Sequence, residues 1–421
     1  MYRPALWMTF ALLLAACGGG GGGGTSGPPP VAFTGEISGQ LVAPNGVTPI
    51  PGATLYIESP GASARVLPRG ADNGACPAPQ TQSEWTCSGT TGEFSFDVTD
   101  LPPGSTLHAE KGAWTLRHPL RFTAQSTGAL DAVAFKTDTA AGAARIAVVT
   151  GDYDNIEYLL AKMGLGEVEE SGALAAGITE SHTPHGHAHS HVHTHAPRGA
   201  QIAARSLPLK LGTEKFDLYD GNGSLPPQYP GVDALFSTAN GQVRLYEYDI
   251  IYINCGADEP TTGNWRDLLS DYVSQGGTLY VTDQSSVWLE GFTDYLQPAL
   301  DWGEGVGALT GRVVNAAMAT WLAGVTCAGG ACITGEQIQI EGMLSGWHLA
   351  QPLPGAVTPL VRANVSEAGF PGVTDAILTL SFRHGQGQVV YSSYHVSHDA
   401  PEEGYLPQER VLEYLFFSET P

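Results

Sequence analysis

The apolar residues of this chain change their period at Arg145. On the N-terminal side they alternate with polar residues in short runs, at 36–42, 52–58 and 92–98, where Phe94, Phe96 and Val98 fall on one face. Pro44-Asn45-Gly46 and Pro102-Pro103-Gly104 punctuate these runs as turns. Period two in short, turn-bounded segments is the pattern of strands with one buried face. Beyond Arg145 the apolar runs become continuous, at 145–150, 249–254, 278–282 and 387–394. Helical spacing follows the first two. Ile156, Leu159, Leu160 and Met163 form one stripe, with Asp154 or Asn155 as cap and Gly164 as stop; Trp265, Leu268, Leu269, Tyr272 and Val273 form another, ending at Gly276-Gly277. A last helix opens at Pro407 and runs through Val411, Leu412 and Leu415. Continuous strands alternating with amphipathic helices predict a parallel sheet covered on both faces. The chain therefore reads as multidomain, an all-β part followed by an α/β part.

Charge narrows the partners. The 421 residues include 19 basic and 42 acidic side chains, a formal net charge of -23. Nucleic acid and anionic lipid surfaces reward Lys and Arg, so neither is an expected partner. Only 14% of residues are charged, with 54 glycines and 29 prolines, a composition that fits a β- and loop-rich exported protein.

The N-terminus points the same way. Arg3 precedes an apolar run at 5–14, and Leu14-Ala15-Ala16-Cys17 resembles the lipobox of bacterial lipoproteins. The run is too short to span a bilayer permanently. The resemblance implies a signal peptide at 1–16, cleavage before Cys17 and lipid on that residue. An ordinary secretory signal with an incidental Cys is the alternative. Seven glycines (18–24) and Pro28-Pro29-Pro30 then make residues 17–32 a tether. No acidic residue follows Cys17, which by resemblance to lipoprotein sorting favours the outer membrane.

In an oxidising compartment, Cys76 with Cys87 and Cys327 with Cys332 are expected to form local disulfides. Neither pair has twin C-x-x-C zinc spacing. Cys255 is left over, ends an apolar run and reads as a buried thiol.

Two resemblances follow from the residues. Residues 37–42, Pro49 to Leu55, Thr91 to Phe96 and Leu101-Pro-Pro-Gly104 resemble the carboxypeptidase regulatory-like domain. The resemblance covers 33–136. It implies a seven-stranded transthyretin-like β-sandwich, grouped with carbohydrate-binding-like folds, that serves as a non-catalytic spacer or adhesion module. Trp85 and Trp114 could stack on a sugar ring or fill a core. Asp249 to Gly256, Leu268 to Gly277, Leu279 to Asp283 and Gly387 to His395 resemble the class I glutamine amidotransferase-like fold, closest to its non-amidotransferase branches such as the trehalose-utilisation-like proteins; the domain spans 143–421 with an insertion at about 171–205. That resemblance implies a three-layer, flavodoxin-like α/β domain.

Amidotransferase chemistry needs a thiolate at a strand-to-helix elbow, a histidine base and an acid two residues after it. The elbow here holds Asp283 and Gln284. His395 occupies the histidine position, and Ser397 stands where the acid belongs. Cys255 lies one strand earlier, in the loop that in the family offers backbone donors to an oxyanion. Glutaminase activity is therefore not expected. Asp283 and His395 could face each other across strand ends, where open α/β sheets bind ligands; capping of neighbouring loops is the alternative.

Seven histidines, His182, His185, His187, His189, His191, His193 and His195, fall within fourteen residues. Their small spacers exclude a packed strand. Imidazole-rich tracts bind Zn²⁺, Ni²⁺ or Cu²⁺, here by many interchangeable geometries rather than one closed shell. An inert solvated insertion is the alternative. Asp217, Asp220 and Asn222 lack the EF-hand spacing and read as a turn. The leading expectation is a membrane-anchored envelope lipoprotein with a binding or structural role toward a carbohydrate, protein or other envelope ligand, and no required cofactor. A hydrolase using Asp283 and His395, and a metal buffer using the histidine run, are its rivals.

Overall fold

The computed structural model describes residues 30–60, 65–68, 76, 78, 84–168, 209–239, 241–396 and 404–418. Cys17, the tether up to residue 29, the histidine run and Ser397 lie outside the described residues.

The N-terminal part forms two four-stranded sheets, Arg65–Pro68, Glu93–Leu101, Phe33–Val42, Val133–Ala134 in one and Trp85–Cys87, Thr54–Glu58, Thr106–Lys111, Trp114–Pro119 in the other. The described strands number eight, where the resemblance implied seven. The extra pairing is the short parallel contact of Val133–Ala134 with Leu41 and Val42, made as the chain leaves this part. Period two places Ile37, Leu41, Phe96, Leu55, Leu107 and Trp114 inward, each almost fully buried. Both disulfides form, Cys76–Cys87 and Cys327–Cys332.

The second part is built on a ten-stranded mixed sheet. Its parallel half runs Asp217–Tyr219, Ile146–Val149, Ile250–Ile253, Thr278–Thr282, Gly387–Ser392. In chain order that is 2-1-3-4-5, the flavodoxin-like arrangement. Helix Trp265–Ser274 covers one face, packing Trp265, Leu269, Tyr272 and Val273 against Ile251, Leu279 and Val389. The first and last helices, Ile156–Leu160 and Pro407–Ser418, cover the other with Val148, Tyr252 and Tyr280. The remaining half is antiparallel, through Ala376–His384, Thr358–Ala363, Val306–Val313, Gln337–Met343 and Ile333–Thr334. The sequence reading anticipated the parallel half alone.

The two parts share one apolar core. Trp114 is fully buried, with ring centroids 5.6 and 5.7 Å from Phe416 and Phe417 of the last helix. It is a core residue and does not offer a face to a sugar. Trp321 Nε1 donates to the Pro49 carbonyl at 3.4 Å, and Asn45 Nδ2 to the Lys162 carbonyl at 3.1 Å.

Candidate active site and adjoining cavity

Three adjacent parallel strands end at one point. Cys255 follows Ile250–Ile253, Asp283 follows Thr278–Thr282, and His395 follows Gly387–Ser392. Their sulfur, carboxylate and ring-nitrogen atoms lie within 4.8 Å of one another. The structure thus brings together all three sequence-derived candidates, including Cys255. Asp283 is an elbow residue, with a left-handed φ of 47° as the strand passes into the 3₁₀ turn Asp283–Leu289. A non-glycine residue in that region carries strain of about 1–3 kcal/mol, which the surrounding structure must hold.

The elbow is held by its hydrogen bonds. The His348 amide donates to Asp283 Oδ1 at 2.6 Å, and the Cys255 thiol donates to the same carboxylate. Below it, Asp154 bridges the strand ends, accepting from the Thr282 hydroxyl at 2.6 Å and from the Val396 amide at 2.9 Å. Asp154 also accepts from the Asn155 amide at 2.7 Å. The helix cap at Asn155 makes no side-chain capping bond, so the acid expected to cap the first helix serves the sheet instead.

Burial sets the protonation states. It pushes the Asp283 carboxyl up to about 8, with the Asp154 charge adding to the rise and the bonds from His348 and Cys255 opposing it. It pushes His395 down to about 4. It also drives the Cys255 thiol well above its usual range. His395 Nε2 and Asp283 Oδ2 stand 3.8 Å apart. With both groups neutral at pH 7, that approach is not an ion pair. A neutral thiol and a protonated carboxyl are poor nucleophiles. One sulfur, one carboxylate and one imidazole so placed are also a metal-donor set.

A larger space lies beside the elbow. A cavity of about 670 Å³ is walled by the turn after Asp283 and by the antiparallel pair Leu296–Gly303 and Trp347–Pro352. Ser286, Glu290, Thr293, Gln297, Asp301 and His348 supply its polar groups, and among the described residues no Lys or Arg lines it. Ser286 Oγ and His348 Nδ1 are hydrogen-bonded at 2.8 Å. Burial holds His348 below its usual pKa, so this ring is neutral at pH 7. The Tyr391 hydroxyl donates to the His348 carbonyl at 3.0 Å and lies 3.2 Å from the Asp283 carbonyl. The sequence reading missed this cavity, because its wall forms by pairing segments some fifty residues apart.

No family model matches the chain, and no curated protein matches it. Among solved structures it is similar to a ThuA-like protein from Parabacteroides merdae, 12% identical, covering 64% of this chain and 87% of that one at a TM-score of 0.32. A ThuA-like protein from Bacteroides uniformis is 14% identical over 41% of this chain and 69% of that one, TM-score 0.29. A glutamine amidotransferase from Thermotoga maritima is 9% identical over 65% and 82%, TM-score 0.29. Likenesses at these scores carry no argument about activity. What the strand order defines is a multidomain protein with mixed sheets, whose α/β part is flavodoxin-like in its parallel half.

Proposed function

We propose that this is an exported, lipid-anchored envelope protein whose α/β domain binds a small neutral polyhydroxylated ligand, of the saccharide class, in the cavity beside Asp283. The cavity carries the reading. Its volume lies within the roughly 300–1,000 Å³ usual for small-molecule sites. Its hydroxyl, amide and carboxylate groups suit a neutral polyol, and among the described residues it has no Lys or Arg to pair with a phosphate or carboxylate. In this reading the N-terminal sheets are a carboxypeptidase regulatory-like sandwich acting as spacer, and Cys17 carries the lipid. Amidotransferase chemistry and the Asp283–His395 hydrolase fit the site less well, since burial disfavours the thiolate or carboxylate that would act as nucleophile. The histidine run is a separate, accessory metal binder.

Calorimetric titration with a panel of neutral mono- and disaccharides tests the cavity. One of them should bind, and Glu290→Gln and Gln297→Ala should each weaken it at least tenfold. Absence of binding across the panel would refute the saccharide assignment. Detergent partitioning of wild type against Cys17→Ala tests the anchor, and equal membrane retention of the two would exclude it.

A further inference from the structure

We propose that Cys255, Asp283 and His395 together form a three-donor binding site for one thiophilic divalent cation of the Zn²⁺ type, distinct from the histidine run. The inference goes beyond the cavity reading and does not depend on it.

Spacing is the first observation. A carboxyl group bonded to an imidazole closes to about 2.7–2.9 Å. His395 Nε2 and Asp283 Oδ2 remain 3.8 Å apart although both side chains are almost fully buried. His395 Nδ1 faces the Val396 backbone without a hydrogen bond of normal geometry. Tetrahedral Zn²⁺, with bonds of about 2.0–2.3 Å, sets its donors roughly 3.3–3.7 Å from one another. The observed gap is nearer to that separation than to a hydrogen bond. The sulfur of Cys255 lies within 4.8 Å of the other two donors, so closing distances by roughly 1 Å brings all three into coordination range.

Support for the donors is the second observation. Asp283 Oδ1 is taken by the His348 amide at 2.6 Å, which leaves Oδ2 facing His395. Outer bonds of this kind orient metal-binding carboxylates. The left-handed φ at Asp283 aims the carboxyl into the cluster at a cost in strain. Each donor sits at the end of a strand in the middle of the sheet, so the triangle is rigid.

Charge is the third. Among the described residues, no Lys or Arg is among the groups that act on the Asp283 carboxyl. A divalent ion replaces the thiol and carboxyl protons, and the thiolate, carboxylate and cation sum to zero charge, the imidazole being neutral. Mixed sulfur, nitrogen and oxygen donors favour Zn²⁺ or Co²⁺ over Mg²⁺ or Ca²⁺, which take oxygen.

Cobalt separates this site from the histidine run, because thiolate coordination has its own near-ultraviolet charge-transfer absorption. Titrating the full chain anaerobically with Co²⁺ should produce that band, saturating at one ion per chain. Cys255→Ser should abolish the band while leaving Co²⁺ uptake by the histidine run. Asp283→Asn and His395→Gln should shift its midpoint at least tenfold. A wild-type protein that is folded by circular dichroism but shows no thiolate band overturns the proposal, whatever the variants do. A band that survives Cys255→Ser overturns it as well. The saccharide titration reads neither cobalt nor sulfur, so the two readings fail separately.

Discussion

The backbone amide of His348 donates to Asp283 Oδ1 at 2.6 Å, so the strand that walls the cavity also fixes the elbow. Strand end, elbow and cavity wall are therefore one hydrogen-bonded unit. Asp283→Ala should cost about 1–3 kcal/mol through the lost carboxyl bonds. Alanine also keeps the strain of the left-handed φ, which glycine does not feel. Asp283→Gly should be more stable than Asp283→Ala by about 1 kcal/mol in urea titration. Equal stabilities would show that the elbow geometry relaxes when the carboxyl is gone.

Cys255 should behave as an inert thiol in the purified, metal-stripped protein. Burial raises its pKa, and the residue is 1% exposed. A thiol reagent should label it only after denaturation, while non-reducing peptide mapping finds Cys76–Cys87 and Cys327–Cys332. The protein should release no ammonia from glutamine above a blank, and Cys255→Ser should leave that baseline unchanged. Glutaminase activity lost on Cys255→Ser or His395→Ala would make Cys255 a relocated nucleophile.

The shared core predicts coupled unfolding. Trp114→Ala removes a ring packed against Phe135, Phe416 and Phe417 and should cost roughly 3–5 kcal/mol. Calorimetry should show one transition that moves as a whole. Two transitions, with only the earlier one displaced, would mean that the β part and the α/β part unfold independently.

His108 gives a pH dependence of known sign. Its ring is 2.9 Å from Glu58, yet burial outweighs that carboxylate, which is itself exposed and hydrated, and the pKa falls below 6.5. The folded chain therefore prefers the neutral ring, and the unfolded chain takes up the proton first. The stability contributed by the neutral ring is present above about pH 6.5 and is lost as pH falls through the folded value. His108→Gln has no such loss. Wild type should lose more thermal stability than the variant between about pH 6.5 and 5. Parallel curves would show that the ring titrates alike in both states.

The buried pair Lys162–Glu409 locks the last helix to the turn Ala161–Leu165 that follows the first. Nζ lies 3.0 Å from Oε2, and the same oxygen accepts from the Leu406 amide at 2.6 Å. Removing one partner strands the other charge away from water, so Glu409→Ala should cost about 3–5 kcal/mol. A Lys162→Met, Glu409→Leu double variant should recover most of it. If the double variant were as unstable as the single one, the loss would lie in packing rather than in the uncompensated charge.

Local pattern carried a large part of this protein. Continuous apolar runs placed Ile146–Val149, Ile250–Ile253, Thr278–Thr282 and Gly387–Ser392, and helical stripes placed Trp265–Ser274 and Pro407–Ser418. Those signals are local because side-chain direction repeats every two or 3.6 residues whatever the rest of the chain does. The elbow residue Asp283 and the thiol of Cys255 could be located for the same reason, since each stands where a legible strand ends.

Other features depend on pairings that no short window contains. The antiparallel half of the sheet, the cavity wall made by Leu296–Gly303 with Trp347–Pro352, and the Ser286–His348 pair all join segments distant in sequence. Asp154 looked like a helix cap because short polar side chains favour that position, but it bonds instead to Thr282 and Val396. By itself the sequence determined the order and type of the main elements, the two cysteine pairings and the residues at the strand ends. Only the tertiary structure decided that Cys255, Asp283 and His395 meet, and that burial holds them neutral in the absence of a cation. Both are long-range effects, set by packing and by the distance of each charge from water.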